Sequence, residues 1–294
     1  MLQTNTMNPV RPDPESTTII TGDGVPLSVR IFEPGGRAKA TVLFTGGVGV
    51  PQRVYRELAG WLAQRGVRCL TFDYRGFGES RHSARGVATA SLSTWARIDA
   101  VAAFEYCEAA WDEPVALLAH SFGGQLLALA EPLHRATSAV LVASQCGSAR
   151  YWDGVQRLKV AALWHVLLPV GTALGETTPR WLGFRVPRGV ADEWGRWGRH
   201  RDWLFSLNHD AESRLRRFRG PLLSFSVIDD DLAPPRAVAA LLRRFDPAVV
   251  RERRLEPVAF GVDGIGHYGV FRRGPIEPVW NEIHDFLIRG ISGV

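Results

Sequence analysis

Leu117-Leu118-Ala119-His120-Ser121-Phe122-Gly123-Gly124-Gln125 is the stretch that decides the fold. The apolar run Val115 to Ala119 has the length and composition of a buried strand, and Phe122 to Leu133 has the pattern of a helix. A serine therefore stands at a strand-to-helix corner. So sharp a corner holds the serine backbone in a sparsely populated conformation. It exposes the hydroxyl and aims the next N–H groups at the same space. The residues two before and two after the serine must be small, because the backbone there passes close to its neighbours. Gly123 meets that demand, and Ala119 stands where the G-x-S-x-G pattern has glycine.

Working outward, strands and helices alternate. Thr17 to Thr21 and Leu27 to Phe32 flank Gly22-Asp23-Gly24 and read as a hairpin. Ala40 to Thr45 reads as a buried strand ending in Gly46-Gly47. Gln52 to Arg65 reads as a helix stopped by Gly66, and Val67 to Phe72 as the next strand. A helix capped by Ser93 or Thr94 runs to about Ala110, and Ala139 to Ala143 is a further strand. After residue 216 the pattern resumes with strands at Pro221 to Ile228 and Val249 to Leu255, and helices at Arg236 to Phe245 and Ile276 to Ile288. This rhythm implies right-handed crossovers and a mostly parallel central sheet with helices on both faces, an α/β fold.

The rhythm breaks between residues 148 and 216, where no strand is expected. Six of the ten tryptophans lie here: Trp152, Trp164, Trp181, Trp194, Trp197 and Trp203. The stretch also carries a net +4 of the chain's +5. It reads as a helical cap inserted between the sixth and seventh strands. Its tryptophans are either a wall over the nucleophile or the cap's own core. The division expected is a flexible N-terminal segment 1–16, core 17–147, cap 148–216 and core 217–294.

A serine hydroxyl is a poor nucleophile without a base, and the base needs a carboxylate to hold it. In chain order the serine should be followed by the acid and then the histidine. Asp229-Asp230-Asp231 lies just past one expected strand end. His267, inside Gly264-Ile265-Gly266-His267-Tyr268-Gly269, lies past the last. The carboxyl edge of such a sheet is where its sites form.

With these residues in view, the chain resembles a serine-type α/β-hydrolase. Asp73-Tyr74-Arg75-Gly76-Phe77-Gly78-Glu79-Ser80 is similar to that family's D-x-R-G-x-G-x-S segment. Gly49-Val50-Pro51-Gln52, the Asp230 to Pro235 segment and Gly266 to Arg272 resemble, more narrowly, a branch of bacterial α/β-hydrolases with a Trp/Arg-rich helical cap. The resemblance spans about Thr17 to Ile288. It implies the α/β-hydrolase fold, Ser121 as nucleophile and His267 as base. It also implies Asp230 as the orienting acid, with Asp229 and Asp231 the alternatives. The oxyanion hole would be the N–H of Phe122 and that of Val50, with Gly47 the other choice. His120, Asp73 and Arg75 are expected to be structural. The reaction implied is cleavage of a carboxylic ester or thioester. Amide or aminopeptidase cleavage, acyl transfer, or a binding protein without activity are the alternatives.

Composition narrows the rest. The 294 residues are 46% hydrophobic and 22% charged, which excludes a disordered or fibrous chain. Only Lys39 and Lys159 are lysines among 35 basic residues, and no basic run interleaves with aromatics as in a nucleic-acid module. Cys69, Cys107 and Cys146 have no zinc or redox spacing and read as buried thiols. No secretory signal or span-length apolar run is visible. The expectation is a cytoplasmic enzyme with no cofactor, no metal, no nucleic acid and no integral membrane association. It would act on a small-molecule acyl substrate, with homo-oligomerisation left open.

Overall fold

Runs that are apolar at most positions form central strands where both faces are covered. Ala40–Thr45 (β3), Val115–His120 (β5), Ala139–Val142 (β6) and Leu222–Val227 (β7) are such runs, and every residue in them is buried. The computed structural model describes residues 14–173 and 185–292. Among these, Glu15–Ile20 (β1), Pro26–Phe32 (β2), Val67–Phe72 (β4) and Val250–Leu255 (β8) complete an eight-stranded sheet ordered β1-β2-β4-β3-β5-β6-β7-β8. The β1–β2 and β2–β4 pairs are antiparallel and the others parallel. Arg251, Glu252, Arg253 and Arg254 of the edge strand β8 are exposed, and such charges discourage pairing with another chain.

Helices Arg56–Ala63 (α1), Ala84–Thr89 (α2), Leu92–Thr94 (α3), Val101–Ala110 (α4) and Leu126–Leu129 (α5) lie in the first part of the chain. Between β6 and β7 come Gly154–Ala162 (α6), Leu168–Ala173 (α7), Arg188–Arg199 (α8) and Ala211–Arg217 (α9), with no strand among the described residues. Pro235–Leu242 (α10) and Glu277–Ser292 (α11) close the chain. No helix among the described residues is long and apolar enough to cross a membrane. All three cysteines are free and buried, and burial pushes the Cys146 thiol up to about 11.

Several expectations need correction. The expected flexible segment 1–16 falls outside the described residues up to residue 13, but Glu15 and Ser16 belong to β1. Trp181 also falls outside the described residues. The helix expected from Ser93 or Thr94 begins one turn earlier. Ser91 caps it, its Oγ accepting the Thr94 N–H at 3.0 Å while Thr94 Oγ1 accepts the Ser91 N–H at 2.7 Å. Starting there buries Leu92 completely. Ser93 instead reaches the inserted segment, donating from N and Oγ to the Glu193 carboxylate at 2.9 and 2.6 Å. The expected helix 122–133 is broken into a 3-10 turn at Ser121–Gln125, the short α5, and a second 3-10 turn at Glu131–Arg135. Pro132, lacking an N–H and restricting Glu131, accounts for the second break. Helix α2 has no counterpart in the sequence reading.

The Asp73 to Ser80 segment is fixed by charge. Asp73 accepts the N–H groups of Gln52 and Glu79, each at 2.8 Å. Arg75 is fully buried between Asp99 and Asp23, with ion-pair contacts of 2.7 Å to each. The guanidinium holds the Asp23 carboxyl well below the usual carboxylate range. A buried cation persists only when its partners are this well placed. The network ties the loop after β4 to the N-terminal hairpin and to the segment leading into α4.

Candidate active site

Ser121 follows β5 with φ +54°, a left-handed conformation uncommon for a residue bearing a Cβ. The surrounding contacts enforce it. A Cβ on Gly123 would lie 2.1 Å from the Thr45 carbonyl oxygen, so only glycine lets the backbone pass. A Cβ on Gly47 would lie 3.0 Å from the Ser121 Cβ, which brings the loop after β3 directly against the serine. Ala119 is buried and its single methyl fits.

His267 and Asp230 come together across 37 residues of sequence, with Nδ1 of His267 2.7 Å from Oδ2 of Asp230. The other oxygen, Oδ1, accepts the N–H groups of Leu232 and Ala233 at 2.8 and 2.9 Å. The three adjacent aspartates thus differ in task. Asp229 Oδ2 accepts the N–H groups of Ile265 and Gly266 at 2.9 and 3.1 Å, bracing the loop that carries His267. Asp231 turns toward the inserted segment, where its carboxylate accepts from Gln156 at 2.8 Å and its carbonyl from the Trp152 indole at 2.7 Å.

His120 is wholly buried and links two loops. A carbonyl can only accept, so Nε2 of His120 donates to the His267 carbonyl at 3.0 Å. Nδ1 is then the acceptor for the Tyr55 hydroxyl at 3.0 Å, and that oxygen accepts the Gly47 N–H at 3.2 Å. Burial, reinforced by the neighbouring His267 imidazole, holds the His120 imidazole well below its ordinary pKa. It is therefore neutral, and it joins the loop after β3 to the His267 loop.

In the loop after β3, two of the N–H groups are already engaged. The Val50 N–H donates to the Gly47 carbonyl at 3.2 Å, and the Gly47 N–H is taken by Tyr55. Val48 lines the same cavity as Ser121 and Phe122, and its N–H has no partner among the described residues.

Ser121 and His267 both line one cavity of about 120 Å³. Its far side is built by the inserted segment: Val160, Leu163, Trp152, Trp164, Trp194 and Trp203. Three of these indoles are pinned by their N–H groups. Trp152 donates to the Asp231 carbonyl, Trp164 to the Gly147 carbonyl at 3.0 Å and Trp203 to Gln125 Oε1 at 2.9 Å. Gln125 is held in turn by donating to the Gln145 carbonyl at 2.8 Å. A Cβ on Gly147 would lie 2.4 Å from Trp203, and one on Gly198 would lie 2.2 Å from Trp164, so both rings sit in slots that glycine leaves open. The tryptophans thus divide: these four face the cavity, while Trp197 packs beneath, its ring 6.3 Å from Phe122 and 6.0 Å from Trp203.

A family model described as serine aminopeptidase, S33, matches residues 36–183, half of the chain; the match includes Ser121 and ends before Asp230 and His267. Similar solved structures include a soluble variant of monoglyceride lipase from Saccharomyces cerevisiae, at a TM-score of 0.67 and 14% identity, covering 95% of this chain and 96% of that one. An esterase from Pyrococcus furiosus matches at 0.63 and 18%, covering 95% and 92%. The esterase domain of a Rhodothermus marinus protein matches at 0.61 and 18%, covering 94% and 98%. At these identities the likeness is one of fold. A search of curated proteins found no match.

Proposed function

Since the chain belongs to the serine aminopeptidase S33 family of α/β-hydrolases, we propose that it cleaves a carboxylic ester or thioester with a short apolar acyl group through an acyl-enzyme on Ser121. The observation that carries this reading is the 2.7 Å contact between His267 and Asp230, in a chain whose strained Ser121 shares a cavity with His267.

In this reading His267 takes the Ser121 proton as Oγ attacks the acyl carbon. Asp230 holds Nδ1–H, fixes the tautomer and stabilises the imidazolium. The N–H groups of Phe122 and Val48 receive the oxyanion, each worth about 3 kcal/mol in the transition state. Val48 replaces Val50 in this role because the Val50 N–H is engaged in its own turn. When the tetrahedral intermediate collapses, the bond to the leaving group breaks and His267 gives that group its proton. Water then attacks the acyl-enzyme with His267 again as base, releasing the carboxylic acid and restoring the Ser121 hydroxyl. Residues 148–216 act as the cap that closes the acyl side.

The cavity supports a small acyl group. At about 120 Å³ it is somewhat smaller than the roughly 150 Å³ apolar cavity that takes a benzene ring. That size suits an acyl chain of about four to six carbons. The family description favours peptide cleavage as the second reading. An aminopeptidase needs a carboxylate for the substrate ammonium, and Asp231, the acidic residue lining the cavity, is already bound by Gln156. Kinetics with 4-nitrophenyl butanoate, the matching thioester and the 4-nitroanilide of an amino acid test the choice. The expected outcome is turnover of the first two, abolished in Ser121→Ala. Faster cleavage of the anilide would give the aminopeptidase reading instead.

A further inference from the structure

Val50 and Tyr268 line two neighbouring cavities. One is the apolar pocket beside Ser121. The other is an open cleft of about 580 Å³ whose charged lining is Arg53, Arg56, Arg272 and Glu57. All three arginines are exposed. Arg53 and Arg272 make no ion pair among the described residues. Glu57 is occupied, its Oε2 accepting the Arg273 N–H at 2.7 Å. Arg53 and Arg272 therefore bring net positive charge to this cleft, which is floored by the buried Phe271.

We propose that this cleft binds an anion, a phosphate or a carboxylate, carried on the leaving group of the substrate. The inference rests on the acyl-enzyme reading above. There, His267 protonates the leaving atom, so the leaving group starts at the His267 imidazole. In that reading the tryptophan-walled pocket holds the acyl chain, so the leaving group extends the other way. Past His267 the next wall is Tyr268, and beyond Tyr268 lies the arginine cleft. Arginine forks match carboxylate and phosphate oxygens in pairs, which a single ammonium does not. The substrate class that follows is an acyl ester or thioester with a short apolar acyl part and an anionic alcohol or thiol part.

Two matched substrate pairs test this. S-butanoyl-pantetheine is compared with its 4′-phosphate, and 4-nitro-3-(butanoyloxy)benzoate with the neutral benzamide of the same ester. In at least one pair the charged member is expected to have a kcat/KM at least about fivefold higher, chiefly through KM, the size that two exposed charge pairs supply. Which pair responds separates phosphate from carboxylate. The preference should shrink with added salt and fall to near unity in the double variant Arg53→Gln, Arg272→Gln. Equal rates within both pairs, or a preference that survives in the double variant, would overturn the inference and leave the hydrolase reading standing. No turnover of any of the four by the folded wild type would overturn the hydrolase reading itself.

Discussion

Nδ1 of His267 and Oδ2 of Asp230 lie 2.7 Å apart, with the second Asp230 oxygen saturated by two backbone N–H groups. The carboxylate therefore cannot rotate away from the imidazole without losing three hydrogen bonds. This is the relationship a base needs if its tautomer and its aim are to be fixed before substrate arrives.

The three adjacent aspartates give a graded test. Asp230→Asn should lower kcat by about 10⁴, because an amide in this position can hold the wrong tautomer. Asp229→Asn should cost less, about tenfold, by loosening the Ile265-Gly266 brace behind His267. Asp231→Asn should leave kcat within about threefold, since among the described residues its carboxylate bonds Gln156 and not His267. Steady-state kinetics of the three variants on one butanoyl ester checks the order. An Asp231 effect larger than that of Asp230 would contradict it.

Gly123→Ala should fail on steric grounds. Its Cβ would sit 2.1 Å from the Thr45 carbonyl oxygen, a backbone atom that cannot swing aside. The expected loss is about 3 kcal/mol or more, read from urea unfolding, with activity lost alongside. Ala119→Gly, on the other side of the serine, should be far milder, at about 1 kcal/mol from added chain entropy.

Such close approaches explain what the sequence could and could not convey. The strands of the sheet's centre were legible because β3, β5, β6 and β7 are largely apolar, Thr41, Thr45, His120, Ser224 and Ser226 being the exceptions. The corner at Ser121 was legible because small residues and a serine follow such a strand. Helix limits were less so. Ser91 and Ser93 are equally good caps by type, and only burial of Leu92 and the Glu193 carboxylate of a distant segment separate them. The division of labour among Asp229, Asp230 and Asp231 depends on which loop packs against which oxygen, a tertiary fact with no local signal. The same holds for the Val50 N–H, whose engagement in a turn with the Gly47 carbonyl has no local signal either.

His120 predicts a pH effect on stability. Its folded-state pKa is depressed by burial, so the folded chain keeps it neutral, while the unfolded chain protonates it below about 6.5. Below that pH the unfolded state binds more protons, and stability falls as pH falls. From pH 7 to pH 5 the wild type should lose about 2 kcal/mol more than His120→Gln, measured by urea unfolding at each pH. Equal losses would show that the imidazole is protonated in the fold.

The acyl wall can be opened. Trp194 lines the cavity and its ring lies 5.0 Å from Trp164. Trp194→Ala should raise kcat/KM for an octanoyl ester relative to a butanoyl ester by about tenfold or more, each added buried methylene contributing about 0.8 kcal/mol. An unchanged chain-length profile across butanoyl, hexanoyl and octanoyl esters would mean that acyl chains bind elsewhere.

The central claim is that Ser121 is an activated nucleophile, and covalent labelling reads it most directly. Intact-protein mass would be recorded after exposure of the folded wild type to a small alkyl fluorophosphonate, with Ser121→Ala and His267→Gln treated in parallel. The expected result is one adduct on the wild type at Ser121, none on Ser121→Ala, and labelling slowed by several orders of magnitude in His267→Gln. Contradiction would come from an unlabelled wild type that is otherwise folded, or from an adduct that persists in Ser121→Ala.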